Sequence, residues 1–237
     1  MSNIMIPIFV ISLSRSQDRR TAVVRQMQRL GIEFTFWDAV DGKSLSQEEL
    51  RYVDFLLAEK MCGHALSLGE VGCALSHIRL YEHMVKHGVD RAIVLEDDIH
   101  LHGPFKVLVD KAISNSRADI LFLHHGKAKS WPLKTNLVEG YRLARYMSPS
   151  KRSTRGVLST AGYILTLEGA RKLLSQAYPV RMPSDYLTGR LQLTGLTAAG
   201  IEPCCLDVDQ FATTIDDRAY GHYLEQGADD KQSVSGE

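Results

Sequence analysis

The residues in this sequence best suited to chemistry are three consecutive carboxylates, Glu96, Asp97 and Asp98. Like charges this close repel one another, and a divalent cation among them would relieve the repulsion. Carboxylate oxygens favour a hard ion such as Mg²⁺ or Mn²⁺, and the bound ion would in turn attract a phosphate group. The alternative is an acidic turn in solvent, because Asp is common in turns. The pattern therefore indicates either a metal and phosphate site or a plain surface turn.

The strand that must position these carboxylates is predicted from the apolar run just before them. Residues 92–95 are apolar, and Ile93 and Val94 are β-branched. Such a short run is typical of a strand buried on both faces in the middle of a parallel sheet. Open α/β folds bind ligands at the carboxyl ends of their strands. We therefore expect the acidic triplet at the ligand-binding edge of a sheet.

The amino-terminal part of the chain predicts a βαβ unit whose first loop is rich in arginine. A strand is predicted over 7–13, a helix follows and ends at Gly31, and a second strand covers 33–39. Arg15 and Arg19 fall between the first strand and the helix, where they would suit a nucleotide phosphate. The alternative is that they only solvate the first turn of the helix.

A long helix is predicted immediately before the acidic strand. Ser67 and Glu70 form a capping-box pattern at its start, and Gly88 is a fitting end. Small residues three and four positions apart, Ser76 among them, create a face that a ligand or another backbone can approach closely. His77 lies seven residues after Glu70 and shares a face with it. The helix is either a wall of the site or a tightly packed core helix with a hydrogen-bonded histidine.

The rest of the chain continues an α/β alternation with one interruption. Further helices are predicted from Ser46 to about Lys60 and over 105–113, 167–176 and 184–193, and further strands over 119–124, 158–166 and 196–206. The segment 125–155 is polar, basic and partly aromatic, and long irregular segments inside a compact domain are usually functional or mobile. We interpret it as an acceptor-side excursion, with a solvated loop as the alternative.

The composition excludes several classes of protein. Lys+Arg and Asp+Glu both number 28, so the chain lacks the basic field of a nucleic-acid-binding protein. No basic segment precedes the apolar start, which we interpret as a strand rather than a signal peptide, and no other stretch approaches the roughly 18 apolar residues of a membrane span. The four cysteines have neither zinc-site nor disulfide spacing. A cytoplasmic, reduced protein is the default expectation.

Three sequence blocks carry a resemblance to a known family. The first, residues 8–20, has the sequence IFVISLSRSQDRR; the second, residues 68–77, has the sequence LGEVGCALSH and is followed by Leu95-Glu96-Asp97-Asp98. The third is STAGYIL at 159–165, with Pro183-Ser184-Asp185 later. In this order the blocks resemble glycosyltransferase family 25, the lipooligosaccharide galactosyltransferase family, up to about Ile215. The chain departs from the usual pattern at Ser12, where family members commonly carry Asn, and after Pro183.

The resemblance implies a fold and a reaction. The fold is α/β of the GT-A type, a Rossmann-like nucleotide-sugar-binding domain over residues 1–227 with a mainly parallel central sheet. Independently of the resemblance, the polar composition of residues 228–237 predicts a disordered tail. The reaction is an inverting, metal-dependent transfer of a hexose, galactose from UDP-galactose with Mn²⁺ (or Mg²⁺), in a β-linkage such as β-1,4. The implied acceptor is a lipooligosaccharide or lipopolysaccharide core sugar. A cytoplasmic enzyme in peripheral contact with the inner face of the membrane, with no nucleic-acid partner, is therefore expected.

The resemblance also implies roles for individual residues. Asp98 would ligate the metal together with Glu96, while Glu96 and Asp97 would hold the ribose or complete the metal shell. Contacts to the nucleotide sugar are expected from residues of the first two blocks and the acidic turn: Ser12, Leu13, Arg15, Arg19, Glu70, Ser76, His77, Glu96 and Asp97.

A general base is also required, since inversion needs a carboxylate that takes the proton from the acceptor hydroxyl. Asp185 is the candidate. In the first turn of a predicted helix it could instead be a favourable charge on the helix dipole or part of the metal shell, and Asp207 or Asp209 could take either part. Two other functions stay open: a metal-dependent phosphotransferase or phosphohydrolase, and a non-catalytic nucleotide-sugar-binding module.

Overall fold

The computed structural model of this chain describes residues 6–126 and 128–208. Its strands are β1 (Ile8–Ser12), β2 (Thr35–Asp38), β3 (Arg91–Glu96), β4 (Ile99–Leu101), β5 (Ile120–Phe122), β6 (Thr135–Asn136), β7 (Arg142–Tyr146), β8 (Gly162–Thr166), β9 (Ala198–Glu202) and β10 (Leu206–Val208). Its helices are α1 (Gln17–Leu30), α2 (Gln47–Leu50), α3 (Phe55–Cys62), α4 (Leu68–His87), α5 (Phe105–Asn115), α6 (Leu167–Ala177), α7 (Ser184–Gly189) and α8 (Leu191–Thr194), with a 3₁₀ helix at Gly42–Ser44. Among these residues, no helix combines the length and the apolar character needed to cross a bilayer.

Eight strands form one central sheet in the order β2-β1-β3-β8-β5-β9-β7-β6. β1 pairs in parallel with β2 and β3, and β5 pairs in parallel with β9. β8 and β7 run antiparallel to their neighbours, so six of the eight strands point in one direction. This confirms the predicted α/β fold with a mainly parallel central sheet. β4 and β10 form a separate antiparallel ribbon.

The strand that precedes the acidic triplet is buried on both faces, as predicted. Val94 belongs to the core cluster that includes Tyr81 and Met84 of α4, on one side of the sheet. Ile93 and Leu95 belong to the core cluster on the other side. Because successive side chains of a strand point to opposite faces, β3 is held from both sides and presents its carboxyl end as a rigid support.

The start of α4 and the ends of α4 and α1 are determined by residues within or next to these helices. The Ser67 side chain accepts a hydrogen bond from the backbone N–H of Glu70, and the Glu70 side chain accepts one from that of Ser67, which is a complete capping box at the start of α4. Gly88 ends α4 and Gly31 ends α1, both in the left-handed conformation, with φ of 64° and 59°. A residue without Cβ adopts this conformation at little cost. Both predicted helix ends are confirmed.

The helix predicted from Ser46 to about Lys60 is wrong as a single element, because it is interrupted between α2 and α3. The backbone N–H of Asp54 donates to the carbonyl of Val180 at 2.9 Å, and the N–H of Val180 donates to the carbonyl of Tyr52 at 2.7 Å. Asp54 then caps the start of α3 by accepting from the N–H of Leu57 at 2.8 Å. A distant backbone pairing therefore ends one helix, and a new cap starts the next.

The segment 125–155 is more regular than predicted. β6 and β7 lie within it, and β7 joins the central sheet beside β9. β7 buries Leu143, Ala144 and Tyr146 and exposes Arg142 and Arg145. Part of the segment is therefore a strand of the central sheet and not an irregular excursion. The predicted tail at 228–237 and Asp209 lie outside the described residues.

Candidate functional site

The acidic triplet lies at the carboxyl end of β3, beside the carboxyl end of β1, because Ile11 pairs with Glu96 across these parallel strands. A cleft of about 270 Å³ opens at this edge. The sequence-predicted residues that line it are Ser12, Leu13, Arg15, Arg19, Ser76, His77, Glu96, Asp97 and Asp98. Residues far apart in the chain therefore meet where open α/β folds bind ligands.

Asp97 links the end of β1 and the start of α1 to the end of β3. One of its carboxylate oxygens accepts a hydrogen bond from the Ser12 hydroxyl at 2.6 Å. The other accepts from the Arg19 guanidinium at 3.0 Å, and both partners of this ion pair are largely buried. Charge-assisted hydrogen bonds of this kind are stronger than neutral ones. Since both oxygens are engaged, Asp97 has a positioning role in the structure.

Asp98 is less well compensated than its neighbour. Burial is the largest cause that raises its pKa to about 6, and repulsion from Glu96 adds to it, while Arg19 acts in the opposite direction. The Arg19 guanidinium is 3.7 Å from one oxygen of Asp98. The other oxygen is buried and has no hydrogen-bond partner within the described structure. An unpartnered carboxylate oxygen beside two further carboxylates fits a hard divalent cation.

Glu96 faces the long helix α4. It lies two residues after Val94, so the strand alternation puts its side chain on the same face of the sheet as α4. Its Oε1 accepts a hydrogen bond from the Thr160 hydroxyl at 2.5 Å and lies 3.5 Å from Nε2 of His77. The His77 ring is 1% exposed, and its Nδ1 is 2.8 Å from the hydroxyl of Tyr163. His77 is therefore both a wall of the cleft and a core histidine.

The stripe of small residues on α4 serves packing at Gly72 and Ser76. The Ser76 hydroxyl accepts from the backbone N–H of Val40 at 2.8 Å and donates to the carbonyl of Gly72 at 2.6 Å. A Cβ on Gly72 would lie 2.7 Å from backbone atoms of both Val40 and Gly42. The stripe lets the turn after β2 approach the helix, while Gly69 and Cys73 reach the cleft.

Asp41 and Thr160 are parts of the site that the sequence did not single out. Arg15 donates two hydrogen bonds to the carboxylate of Asp41, at 2.8 and 3.2 Å, across the mouth of the cleft. Asp41 follows β2, which ends at the same sheet edge as β1, so the strand-end argument applied to the second strand would have found it. Thr160 precedes β8 and reaches this edge because β8 runs antiparallel to β3, which the sequence pattern does not reveal.

The sequence that forms this cleft matches the model of a known protein family. The model of the family described as "Glycosyltransferase family 25 (LPS biosynthesis protein)" matches residues 5–188. The chain belongs to glycosyltransferase family 25. Family members that it resembles include "Inactive glycosyltransferase 25 family member 3" of Mus musculus, 34% identical over 188 residues, with 75% of this chain and 30% of the relative covered.

A second relative of this family 25 chain is "Procollagen galactosyltransferase 2" of Homo sapiens, 29% identical over 182 residues, with 70% of this chain and 27% of the relative covered. The chain thus spans less than a third of the length of these two relatives. Among solved structures, a glycosyltransferase involved in the glycosylation of the major capsid of PBCV-1 superposes with a TM-score of 0.34 at 10% identity, over 72% of this chain and 65% of that one. So low a score carries no argument about function.

Two residues predicted for the family 25 site, Glu70 and Asp185, do not line the cleft. Glu70 is 4% exposed, and its Oε2 accepts from the backbone N–H of Ser67 at 2.8 Å, so its carboxylate caps α4. Asp185 lies in the first turn of α7. The residue before it, Ser184, is buried, and its hydroxyl is 3.4 Å from that of Thr160. Asp185 is therefore one residue away from a side chain that contacts Thr160, the hydrogen-bond partner of Glu96.

The alternative carboxylate Asp207 is 71% exposed at its side chain and pairs with His102 at 3.0 Å. It lies on β10, next to Val208, which lines the cleft. The Asp207 side chain itself does not line the cleft.

Proposed function

We propose that this chain is an inverting, metal-dependent hexosyltransferase whose donor is UDP-galactose. The observation that carries the proposal is the cleft at the carboxyl ends of β1 and β3, where cationic Arg19 and an incompletely paired Asp98 meet. A nucleoside diphosphate is an anion, and the carboxylates also need a positive partner. A divalent ion between the two would satisfy both.

The residues that would hold the ion are Asp98, through its unpartnered oxygen, and Glu96. Bound Mn²⁺ or Mg²⁺ would supply charge neutralisation for the departing UDP. Arg15, Arg19 and Lys43 line the same cleft, and their charges favour the diphosphate. Asp97 is engaged at both oxygens, so we assign it the task of holding the arginine-bearing loop in place rather than ligating the metal.

Asp185 is proposed as the general base. Inversion needs a carboxylate that accepts the proton of the acceptor hydroxyl while that hydroxyl attacks the anomeric carbon opposite the leaving group. The support for Asp185 is its placement on α7, whose first residue Ser184 contacts Thr160 at 3.4 Å, while Thr160 donates to Glu96. This base would approach the donor from the α7 side, and the acceptor would enter there.

The identities of the two sugars are proposed from the family. Galactose is proposed because the human relative is named a galactosyltransferase. A lipooligosaccharide or lipopolysaccharide core sugar, joined in a β-linkage at the cytoplasmic face of a membrane, is proposed because the family description names LPS biosynthesis. One observation favours a second candidate, a nucleotide-sugar-binding module without turnover: the mouse relative, at 34% identity, is named inactive.

Incubation of the purified chain with UDP-galactose and Mn²⁺, with and without truncated lipooligosaccharide, tests the proposal. We expect acceptor-dependent UDP release and a product one hexose heavier in mass spectrometry. UDP-glucose is the matched donor control, and a procollagen peptide is the acceptor control. Donor binding without transfer to any core acceptor would support the binding module instead. Absence of both binding and transfer would refute the assignment of the cleft.

A further inference from the structure

We propose a zinc site in the wall of the cleft, formed by Sγ of Cys73, Nε2 of His77 and Oε1 of Glu96. These three ligand atoms all lie within 4.8 Å of one another. Within the described part of the chain, this is the one group of three such side chains that comes so close together. The zinc site is an additional property of the protein and does not depend on the proposed sugar transfer.

His77 provides the observation that points to a bound cation. Its side chain is 1% exposed, and its buried Nε2 has no hydrogen-bond partner among the described residues. Leaving a buried polar atom unsatisfied destabilises the fold, and a metal ion at Nε2 would give this nitrogen a partner. The other ring nitrogen is 2.8 Å from the hydroxyl of Tyr163, which is itself 2.9 Å from that of Tyr81. When Nδ1 donates its proton to Tyr163, the lone pair of Nε2 is directed toward Glu96, the arrangement usual for metal-binding histidines.

The distances suit a tetrahedral ion. Nε2 of His77 and Oε1 of Glu96 are 3.5 Å apart, close to the separation of about 3.4 Å between nitrogen and oxygen ligands that are each about 2.0–2.1 Å from a tetrahedral zinc. Cys73 lies one helical turn before His77 on α4, so both side chains project from the same face. Glu96 comes from β3 and is held in place by Thr160. The helix thus supplies the sulfur and nitrogen ligands, and the strand supplies the oxygen.

The sulfur ligand selects the metal. Mg²⁺ and Mn²⁺ prefer carboxylate and carbonyl oxygens, whereas thiolate with imidazole favours zinc. Zinc would bind the deprotonated sulfur of Cys73 and release its proton to solvent. Three protein ligands would leave one tetrahedral position open, and all three ligand residues line the cleft. Since Glu96 also belongs to the acidic triplet, zinc at Cys73 and a hard ion at Asp98 would compete for it.

Titration of the metal-free, reduced chain with Co²⁺ tests the site, because Co²⁺ replaces zinc and its bonds to thiolate absorb in the near ultraviolet. We expect one equivalent of Co²⁺ to produce this band and Zn²⁺ to displace it. Cys73→Ser should lose the band. Cys204→Ser is the matched control, because Cys204 is also half-buried and outside any disulfide, and it should keep the band. No band in the wild type, an undiminished band in Cys73→Ser, or loss of the band in Cys204→Ser would each overturn the proposal.

A measurement on the wild type keeps the test independent of the folding of any variant. Zn²⁺ should protect Cys73 from alkylation by at least tenfold in rate, as followed by peptide mapping, and should leave the rates at Cys62 and Cys204 unchanged. Equal protection at all three, or none at Cys73, would refute the site. UDP release is not part of either readout, so failure of the zinc proposal and failure of the proposed transfer are separable.

Discussion

Asp98→Asn should stabilise the metal-free protein at neutral and higher pH. Burial, with repulsion from Glu96, raises the pKa of Asp98 from 3.8 to about 6, and Arg19 offsets only part of this. The folded state therefore holds the proton more tightly than the unfolded chain, and ionisation destabilises the fold as the pH rises from 3.8 through about 6. Ionisation of Asp98 therefore lowers the free energy of unfolding by about 3 kcal/mol above this pH range, and by well under 1 kcal/mol near pH 4. Asparagine keeps the shape and removes the charge, so the gain should follow the same pH dependence.

Urea unfolding of the chain in EDTA, at about pH 8 and about pH 4, measures this effect. The expected result is a free energy of unfolding higher for Asp98→Asn at the upper pH, with most of the difference gone at the lower pH. Asp90→Asn is the matched control, because Asp90 is an exposed aspartate just before β3, and it should show no pH-dependent gain. If Asp98→Asn is no more stable than the wild type at the upper pH, Asp98 is not an under-compensated charge, and the electrostatic argument for a cation there is wrong.

Three further predictions concern the site and its support. Asp98→Asn should abolish Mn²⁺-dependent binding of UDP-galactose in isothermal titration calorimetry, and unchanged affinity would remove Asp98 from the site. Asp185→Asn should keep donor binding and lose transfer in the UDP-release assay, whereas loss of donor binding would move Asp185 into the metal shell. Gly72→Ala should lower the free energy of unfolding by about 1–3 kcal/mol, because an added Cβ would lie 2.7 Å from the backbone nitrogen of Gly42. Gly103→Ala, where a Cβ meets nothing within 4 Å, is the control in the same urea titration, and equal stability of the two variants would contradict the packing argument.

Local signals in the sequence were sufficient where an element depends on its own residues. The capping box at Ser67 and the glycine at position 88 predict both ends of α4, and the apolar run before Glu96 predicts a doubly buried strand. The interruption after Ser46 was not predictable in this way, because it depends on backbone pairing with Val180, far along the chain. β7 was not predictable for a related reason. Its exposed arginines make the segment polar, and its partner strand, β9, is distant in sequence and pairs with it only in the folded sheet.

The residues of the candidate site also fall into two groups: those predictable from local sequence and those that depend on the fold. Strand ends were predictable, so the triplet and the loop after β1 could be assigned to one sheet edge. Thr160 was not, since it reaches that edge only because β8 is reversed relative to β3. The spacing between the cysteines does not indicate Cys73 as a ligand. Its partners are a histidine one helical turn later and Glu96 on a different element, which only the fold brings within 4.8 Å.

The three adjacent carboxylates differ in role because β3 ends among them. Glu96 is the last residue of the strand, and alternation directs it to the face of α4, where it meets His77 at 3.5 Å. Asp97 lies in the following turn and faces the start of α1, where the Arg19 guanidinium pairs with it at 3.0 Å. Asp98 follows, with a pKa raised to about 6 and one buried oxygen that no hydrogen bond satisfies within the described residues. The end of the strand therefore gives three adjacent carboxylates different surroundings: Asp97 holds the start of α1, Glu96 faces α4, and Asp98 is incompletely paired. The three substitutions to amide should accordingly have three different consequences.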